Sequence, residues 1–161
     1  MKLTAQWLID KFGLAPLPGE GGYYHQTYRS EESMKRKDVA KPVSTAIYFL
    51  LTPETKSALH RLPTDEIFHF YLGDAVEMVQ IDQSGKLKRV RLGSDLVNGE
   101  SVQVLVPAGV WQGSALVPGG KWALMGTTMA PGFDFSDLEL ATKDLSSQYP
   151  SHRETIEALL P

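Results

Sequence analysis

The run HRLPTDEIFHFYLGD, residues 60–74, sets His60, Arg61, Asp65, Glu66 and His69 among aromatic residues of the kind that fill a core. An imidazole titrates near neutrality, and a carboxylate hydrogen-bonded to one ring nitrogen fixes its tautomer and raises its basicity. That pair is the minimum equipment for moving a proton. In extended chain, alternate side chains share a face. Ala58, His60 and Leu62 therefore fall on one side of a strand, and Glu66, Phe68, Phe70 and Leu72 on one side of the next, with Pro-Thr-Asp turning the chain between them. If the apolar members face a core, His60 and Glu66 go inside with them. Buried charge without a partner is costly, so the two must satisfy each other, a metal or a ligand. The chemical reading makes His60 the base and Asp65 or Glu66 the group that orients it. The plainer reading has His60, Glu66 and Arg61 satisfying one another at a strand turn.

Two further runs offer polar groups at strand spacing. Tyr24, Gln26 and Tyr28 alternate with Tyr23, His25 and Thr27, and the first set suits the wall of a hydrogen-bonding pocket. Trp111 and Gln112 are neighbours, so a regular strand admits only one of them to the same cavity. Trp111 inside would make an aromatic slot with Phe68 and Phe70. Gln112 inside would present an amide. Ser57, which opens the His60 strand, joins these residues as a candidate ligand contact. The Glu-Gly-Gly at 20–22 fits a loop that needs positive φ, or backbone amides approaching an anion.

The elements that must position these groups are β. From Tyr23 to Met129 about nine short runs rich in β-branched and aromatic residues are divided by turn signals, with no helical period between them. Asp-Gln-Ser-Gly before Lys86 and Val-Pro-Gly-Gly before Lys121 suit hairpins. Such a series predicts an all-β sandwich or barrel of antiparallel strands. A short helix is expected at each end. Thr4 and Gly13 bracket the first, and Ser151 and Glu154 have capping-box spacing for the last. The charged stretch from Ser30 to Pro42 reads as a flexible loop.

The chain has 161 residues, 42% hydrophobic and 22% charged, which fits one domain over 1–161. A formal net charge of -3 offers no basic field for nucleic acid. There is no cysteine, so disulfides, thiolate metal sites and a cysteine nucleophile are excluded. Asp10 and Lys11 interrupt the opening apolar run, and no stretch approaches the ~18 apolar residues of a membrane span, so a cytoplasmic protein is expected.

Read from His60, the pattern His-x-Leu-x3-Glu66-x6-Gly73 resembles the first cupin motif with one substitution, and GESVQVLVPAGVWQG, with Pro107-x-Gly109 and then Gln112, resembles the second. With PLPGEGGYYHQTYRS, TAIYFLL and APGFDFSDLELA in order, the chain resembles the cupin 5 family, or domain of unknown function 985, from about Leu8 to Ala141. Two departures are His25-Gln26, where members often have Arg-Glu, and Leu59, where they often have Trp.

The resemblance implies a double-stranded β-helix, a jelly-roll-like barrel with a pocket between two sheets, and a homodimer formed by sheet extension. It supplies no reaction. Cupin metal sites use three histidines and a carboxylate; here Leu62 and Gln112 stand in two of the four places. His60 and Glu66 remain, and His69 would join them only if a bulge reversed its direction. Metal-free sugar epimerases of the superfamily use a histidine–acid pair with a tyrosine acid, for which Tyr28 or Tyr24 is available. The expectation is a barrel binding a small polar or sugar-like metabolite, with isomerase or epimerase chemistry beside a carbonyl. The rivals are a non-catalytic metabolite binder and a metal-dependent oxygenase.

Overall fold

A computed structural model describes residues 2–161. Helix α1 (Ala5–Phe12) begins where the Thr4 side chain accepts a hydrogen bond from the Trp7 backbone N–H at 3.1 Å, and ends at Gly13 in the left-handed region, as its sequence predicts. The strands follow in order: β1 (Ala15–Pro16), β2 (Tyr23–Arg29), β3 (Ser33–Arg36), β4 (Val39–Pro42), β5 (Thr45–Leu51), β6 (Ser57–Arg61) and β7 (Glu66–Gly73). After them come β8 (Val76–Ile81), β9 (Leu87–Leu92), β10 (Gln103–Val106), β11 (Trp111–Leu116), β12 (Ala123–Met129) and β13 (Glu139–Leu140), then helices α2 (Lys143–Gln148) and α3 (Arg153–Ala158).

Two antiparallel sheets face each other. One has the order β1-β2-β5-β12-β7-β10 and the other β13-β6-β11-β8-β9. Their inner faces meet in a core of Phe49, Leu51, Phe68, Phe70, Met78 and Met125, among others. The outer faces are covered unequally. Leu8 of α1, with Leu14 just beyond the helix, packs against Leu50 and Leu124 of the six-stranded sheet. Leu145 of α2 and Ile156 of α3 pack on Leu59, Val79, Ile81 and Trp111 of the five-stranded one.

Three local expectations are corrected. The stretch from Ser30 to Pro42 is a β-hairpin, with β3 paired to β4 around Lys37 and Asp38, both at positive φ. Neither is the glycine that normally announces such a turn, which is why the sequence reads as a loop. Val-Pro-Gly-Gly turns the chain between the two sheets rather than within a hairpin, since β11 and β12 belong to different sheets. The Ser151–Glu154 capping box does not form: α3 follows a 3₁₀ turn and starts at His152 without a side-chain cap. The Asp-Gln-Ser-Gly hairpin does form, with Asp82 accepting from the Ser84 and Lys86 backbone N–H groups between β8 and β9.

Candidate functional site

Of three register slips, those on β6 and β2 decide what faces the cavity. The third, at Tyr71 of β7, puts Leu72 opposite Leu124 on the outer face, so Leu72 does not share the side of Glu66, Phe68 and Phe70 as alternation predicts. On β6, His60 pairs with Gln112 of β11 but Ser57 pairs with Ser114, so β6 carries one extra residue there. The extra residue turns both Ser57 and His60 inward, although strict alternation would separate them. Gly113 opposite the bulge leaves little space for a side chain, since a Cβ there would lie 3.1 Å from the Leu59 Cα and crowd the backbone. The His60 Nδ1 sits 2.7 Å from the Ala58 carbonyl oxygen. A carbonyl only accepts, so Nδ1 carries a proton there, and Nε2 is the nitrogen turned toward the other polar groups.

Around that nitrogen a buried polar cluster forms. His60, Gln112 and Glu66 are 1%, 2% and 7% exposed. The Gln112 amide nitrogen lies 2.5 Å from a Glu66 carboxyl oxygen and 3.3 Å from His60 Nε2, bridging the two. Glu20 completes the cluster. One of its oxygens accepts from the Ser57 hydroxyl at 2.7 Å, and the other lies 3.8 Å from His60 Nε2. Its loop is held by the Ala58 N–H donating to the Glu20 carbonyl. Gly21, at φ +94°, lets that loop run against the Lys56 carbonyl. The Glu-Gly-Gly segment thus serves to bring a carboxylate in. The sequence reading saw its glycines but missed Glu20.

Burial pushes the Glu66 carboxyl up to about 7, and the neighbouring charge of Glu20 adds to the rise; His60, the Thr127 hydroxyl and Gln112 oppose it. Glu66 and Glu20 open onto a cavity of about 250 Å³ also lined by Leu17, Tyr24, Gln26, Ile47, Leu62 and Thr127. Arg29, Thr45, Met129, Phe133, Asp134 and Phe135 complete the lining, with Glu66, Met129, Thr45 and Arg29 forming one row across β7, β12, β5 and β2. His60 is not part of that wall and meets the cavity only through its neighbours.

The second bulge lies on β2. Gln26 pairs with Ile47 of β5, but Tyr28 pairs with Ala46 and Arg29 with Thr45, which leaves Thr27 as the extra residue. Beyond it the alternation reverses. Tyr24 and Gln26 line the cavity as expected, whereas Tyr28 turns out of it and is 53% exposed. Arg29, absent from the sequence reading, takes the inward place.

The remaining candidates divide cleanly. Gln112 faces the interior. Trp111 faces the other way, packed beneath the C-terminal helices with the Arg61 guanidinium 4.6 Å from its ring centroid. Arg61 is bound to Glu139 by two hydrogen bonds and takes no part in the cluster. Phe68 and Phe70 are core residues, not cavity wall. Asp65 is exposed and accepts from the Ala108 backbone N–H, so it does not orient His60. His69 lies on the outer face of β7, bonded to Thr128 and Gln103 and stacked on Tyr71.

The donor set does not fit a divalent ion. Of the positions that resemble cupin ligands, Leu62 has no donor atom, and Gln112 places an amide N–H between His60 Nε2 and Glu66 where a cation would need lone pairs. Among the described residues no three His, Asp or Glu side chains converge as a ligand set. His69, the fallback third ligand, is on the wrong side of the sheet.

Fold and site together define a double-stranded β-helix with a polar cavity inside one end of the barrel. The chain belongs to the cupin superfamily: residues 6–141 match the family described as "Cupin superfamily (DUF985)". It is 33% identical over 135 residues to the uncharacterized protein YML079W of Saccharomyces cerevisiae, an alignment covering 73% of this chain and 66% of the yeast protein, just under two thirds of its length. A hypothetical protein from Leishmania major superposes with a TM-score of 0.92 at 32% identity, covering 98% of this chain and 99% of that one. Protein SO0799 from Shewanella oneidensis gives 0.91 at 34%, covering 99% of each. Oxalate decarboxylase from Bacillus subtilis shares the fold alone, with a TM-score of 0.57 at 14% identity over 92% of this chain and 37% of that one.

Proposed function

We propose that the protein binds a small polar, sugar-like metabolite in the barrel cavity and that Glu66 exchanges a proton with it beside a carbonyl. One observation carries this reading: a cavity-lining carboxyl that burial and Glu20 raise to about 7. A group with that value exists in both protonation states at neutral pH, which suits it to take a proton and return it. The ionised carboxyl removes the proton from the hydroxyl-bearing carbon next to the carbonyl; the C–H electron pair becomes a C=C bond and the carbonyl π pair moves to its oxygen. The hydroxyl proton passes to that oxygen, the freed oxygen re-forms C=O, and the C=C pair takes the proton back from the carboxyl at the former carbonyl carbon.

The sequence assignment of roles is thereby exchanged. Glu66 is the reacting group, and His60, with its Nε2 turned toward Gln112 and Glu20, is a positioning residue. With Tyr28 outside the cavity, the described wall offers no tyrosine acid opposite the carboxyl except Tyr24. A single base shuttling one proton fits isomerisation better than two-sided epimerisation. The cavity volume of about 250 Å³ falls below the ~300–1,000 Å³ usual for drug-sized ligands, which favours a monosaccharide-sized molecule over a sugar nucleotide.

The test is a thermal-shift screen of hydroxy-aldehydes and hydroxy-ketones, since a ligand of the native state raises its stability. Each hit is then incubated in D2O and followed by NMR. Wild-type protein should place deuterium on the carbon beside the carbonyl, and Glu66→Gln should not. A bound hit that never exchanges would leave a non-catalytic binder in its place.

We further propose that two copies associate through the part of the six-stranded sheet's outer face that α1 leaves open. Tyr28, Tyr71 and Leu105 lie exposed there, and a dimer would cover them. Light scattering should give twice the chain mass, and Tyr71→Lys should reduce it to one.

A further inference from the structure

We propose that Arg29 is the subsite for an oxyanion, a carboxylate or a phosphate, carried by the molecule that occupies the cavity. This rests on the cavity reading above and adds the charge of its ligand. The guanidinium enters the cavity wall through the Thr27 bulge, which replaces an aromatic residue with a cation at the inward position opposite Thr45. Arg29 is exposed; among the described residues it is the one basic side chain lining the cavity, and it has neither a side-chain hydrogen bond nor an ion pair within 4 Å.

The nearest acid on the wall is already engaged. Asp134 accepts from the Ser136 hydroxyl at 2.5 Å and from its backbone N–H at 2.9 Å, and Lys41 approaches it to 3.8 Å. Those contacts hold Asp134 below the usual carboxylate range, with Arg29 contributing only a part. The charges acting on Glu66 are those of Glu20 and His60, not that of Arg29. The cavity therefore has an acidic cluster at Glu20 and Glu66 and, away from it, the cation of Arg29, whose charge also reaches the Asp134 carboxylate. The paired rings of Phe133 and Phe135, 5.0 Å between centroids, line the same cavity. Apolar neighbours strengthen a guanidinium–oxyanion contact by excluding water, and the planar fork of arginine matches both carboxylate and phosphate oxygens.

A matched set tests this: glucose, gluconate and glucose 6-phosphate, titrated by calorimetry into wild type, Arg29→Gln and Gln26→Trp. The last substitution narrows the cavity at an exposed strand position. At least one of the two anions should bind wild type ten-fold or more tightly than glucose. Arg29→Gln should erase that preference, and Gln26→Trp should abolish binding of all three. Preference for gluconate alone identifies a carboxylate site, and for glucose 6-phosphate alone a phosphate site. Binding that Gln26→Trp blocks but that ignores ligand charge, or survives Arg29→Gln unchanged, overturns the oxyanion subsite and leaves the cavity reading intact. Binding indifferent to Gln26→Trp, or absent for all three ligands, overturns both.

Discussion

Along β7 the inward side chains read Glu66, Phe68, Phe70; along β5 they read Thr45, Ile47, Phe49, Leu51; along β12, from its far end, Met129, Thr127, Met125, Ala123. Each strand thus begins in the cavity and ends in the core. The two halves of the barrel interior share strands, register and sheet geometry, and differ in what those strands carry at one end. In the closed half large apolar side chains interlock and water is excluded. In the open half the same positions hold Glu66, Thr45 and Thr127, and the space between the sheets stays unfilled. A binding site here is a stretch of core that was left unfinished, supported by a half that is complete.

That contrast can be broken from either side. Phe68→Ala, in the closed half, should lower unfolding free energy by about 3–5 kcal/mol, and urea melts at pH 5 and pH 8 should show the same loss. The open half should respond to pH instead. Glu66 rises from its ordinary 4.5 to about 7 in the folded protein, so between those values the native state holds a proton that the unfolded chain has released. Stability must therefore be fully present below about 4.5 and fall as pH climbs through about 7. The ceiling on that loss is about 3 kcal/mol, at ~1.4 kcal/mol for each tenfold change in proton activity. Glu66→Gln should flatten this slope and be more stable than wild type at pH 8. An unchanged slope in the variant would count against the raised value.

Gln112→Met tests the bridge between the halves of the cluster. It removes the donor to Glu66 and His60 while keeping the volume, and should cost about 1–3 kcal/mol while moving the Glu66 titration, followed by carboxyl NMR, to still higher pH. The smallest effect belongs outside the barrel. Arg61→Ala deletes a part-exposed pair with Glu139 and a contact over Trp111, and should change the melting free energy by at most about 1 kcal/mol with no pH signature.

The barrel was legible in the sequence because short alternating runs separated by turns have few other solutions, and the inward placement of Glu66, Phe68 and Phe70 followed from that period alone. What alternation could not give is where the period slips. A bulge adds one residue to a strand without changing its composition, so Thr27 looks like any other threonine, yet it decides whether Tyr28 or Arg29 enters the cavity. The slip in β6 likewise brings Ser57 to Glu20, a contact between residues far apart in the chain. Trp111 and Gln112 were undecidable for a related reason. Both faces of β11 are buried, one by the opposite sheet and one by α2 and α3, so hydrophobicity did not say which was the interior.

The extra residue in β2 separates the order of side chains along the strand from the face each one takes. Deleting Thr27 would leave Tyr28 opposite Ala46 and Arg29 opposite Thr45, so the guanidinium would keep its place on a strand made regular. Taking Thr27 into the ladder opposite Ala46 would instead bring Tyr28 opposite Thr45 and turn Arg29 outward. The charge this barrel offers a ligand is thus written in a pairing register, which composition alone does not record.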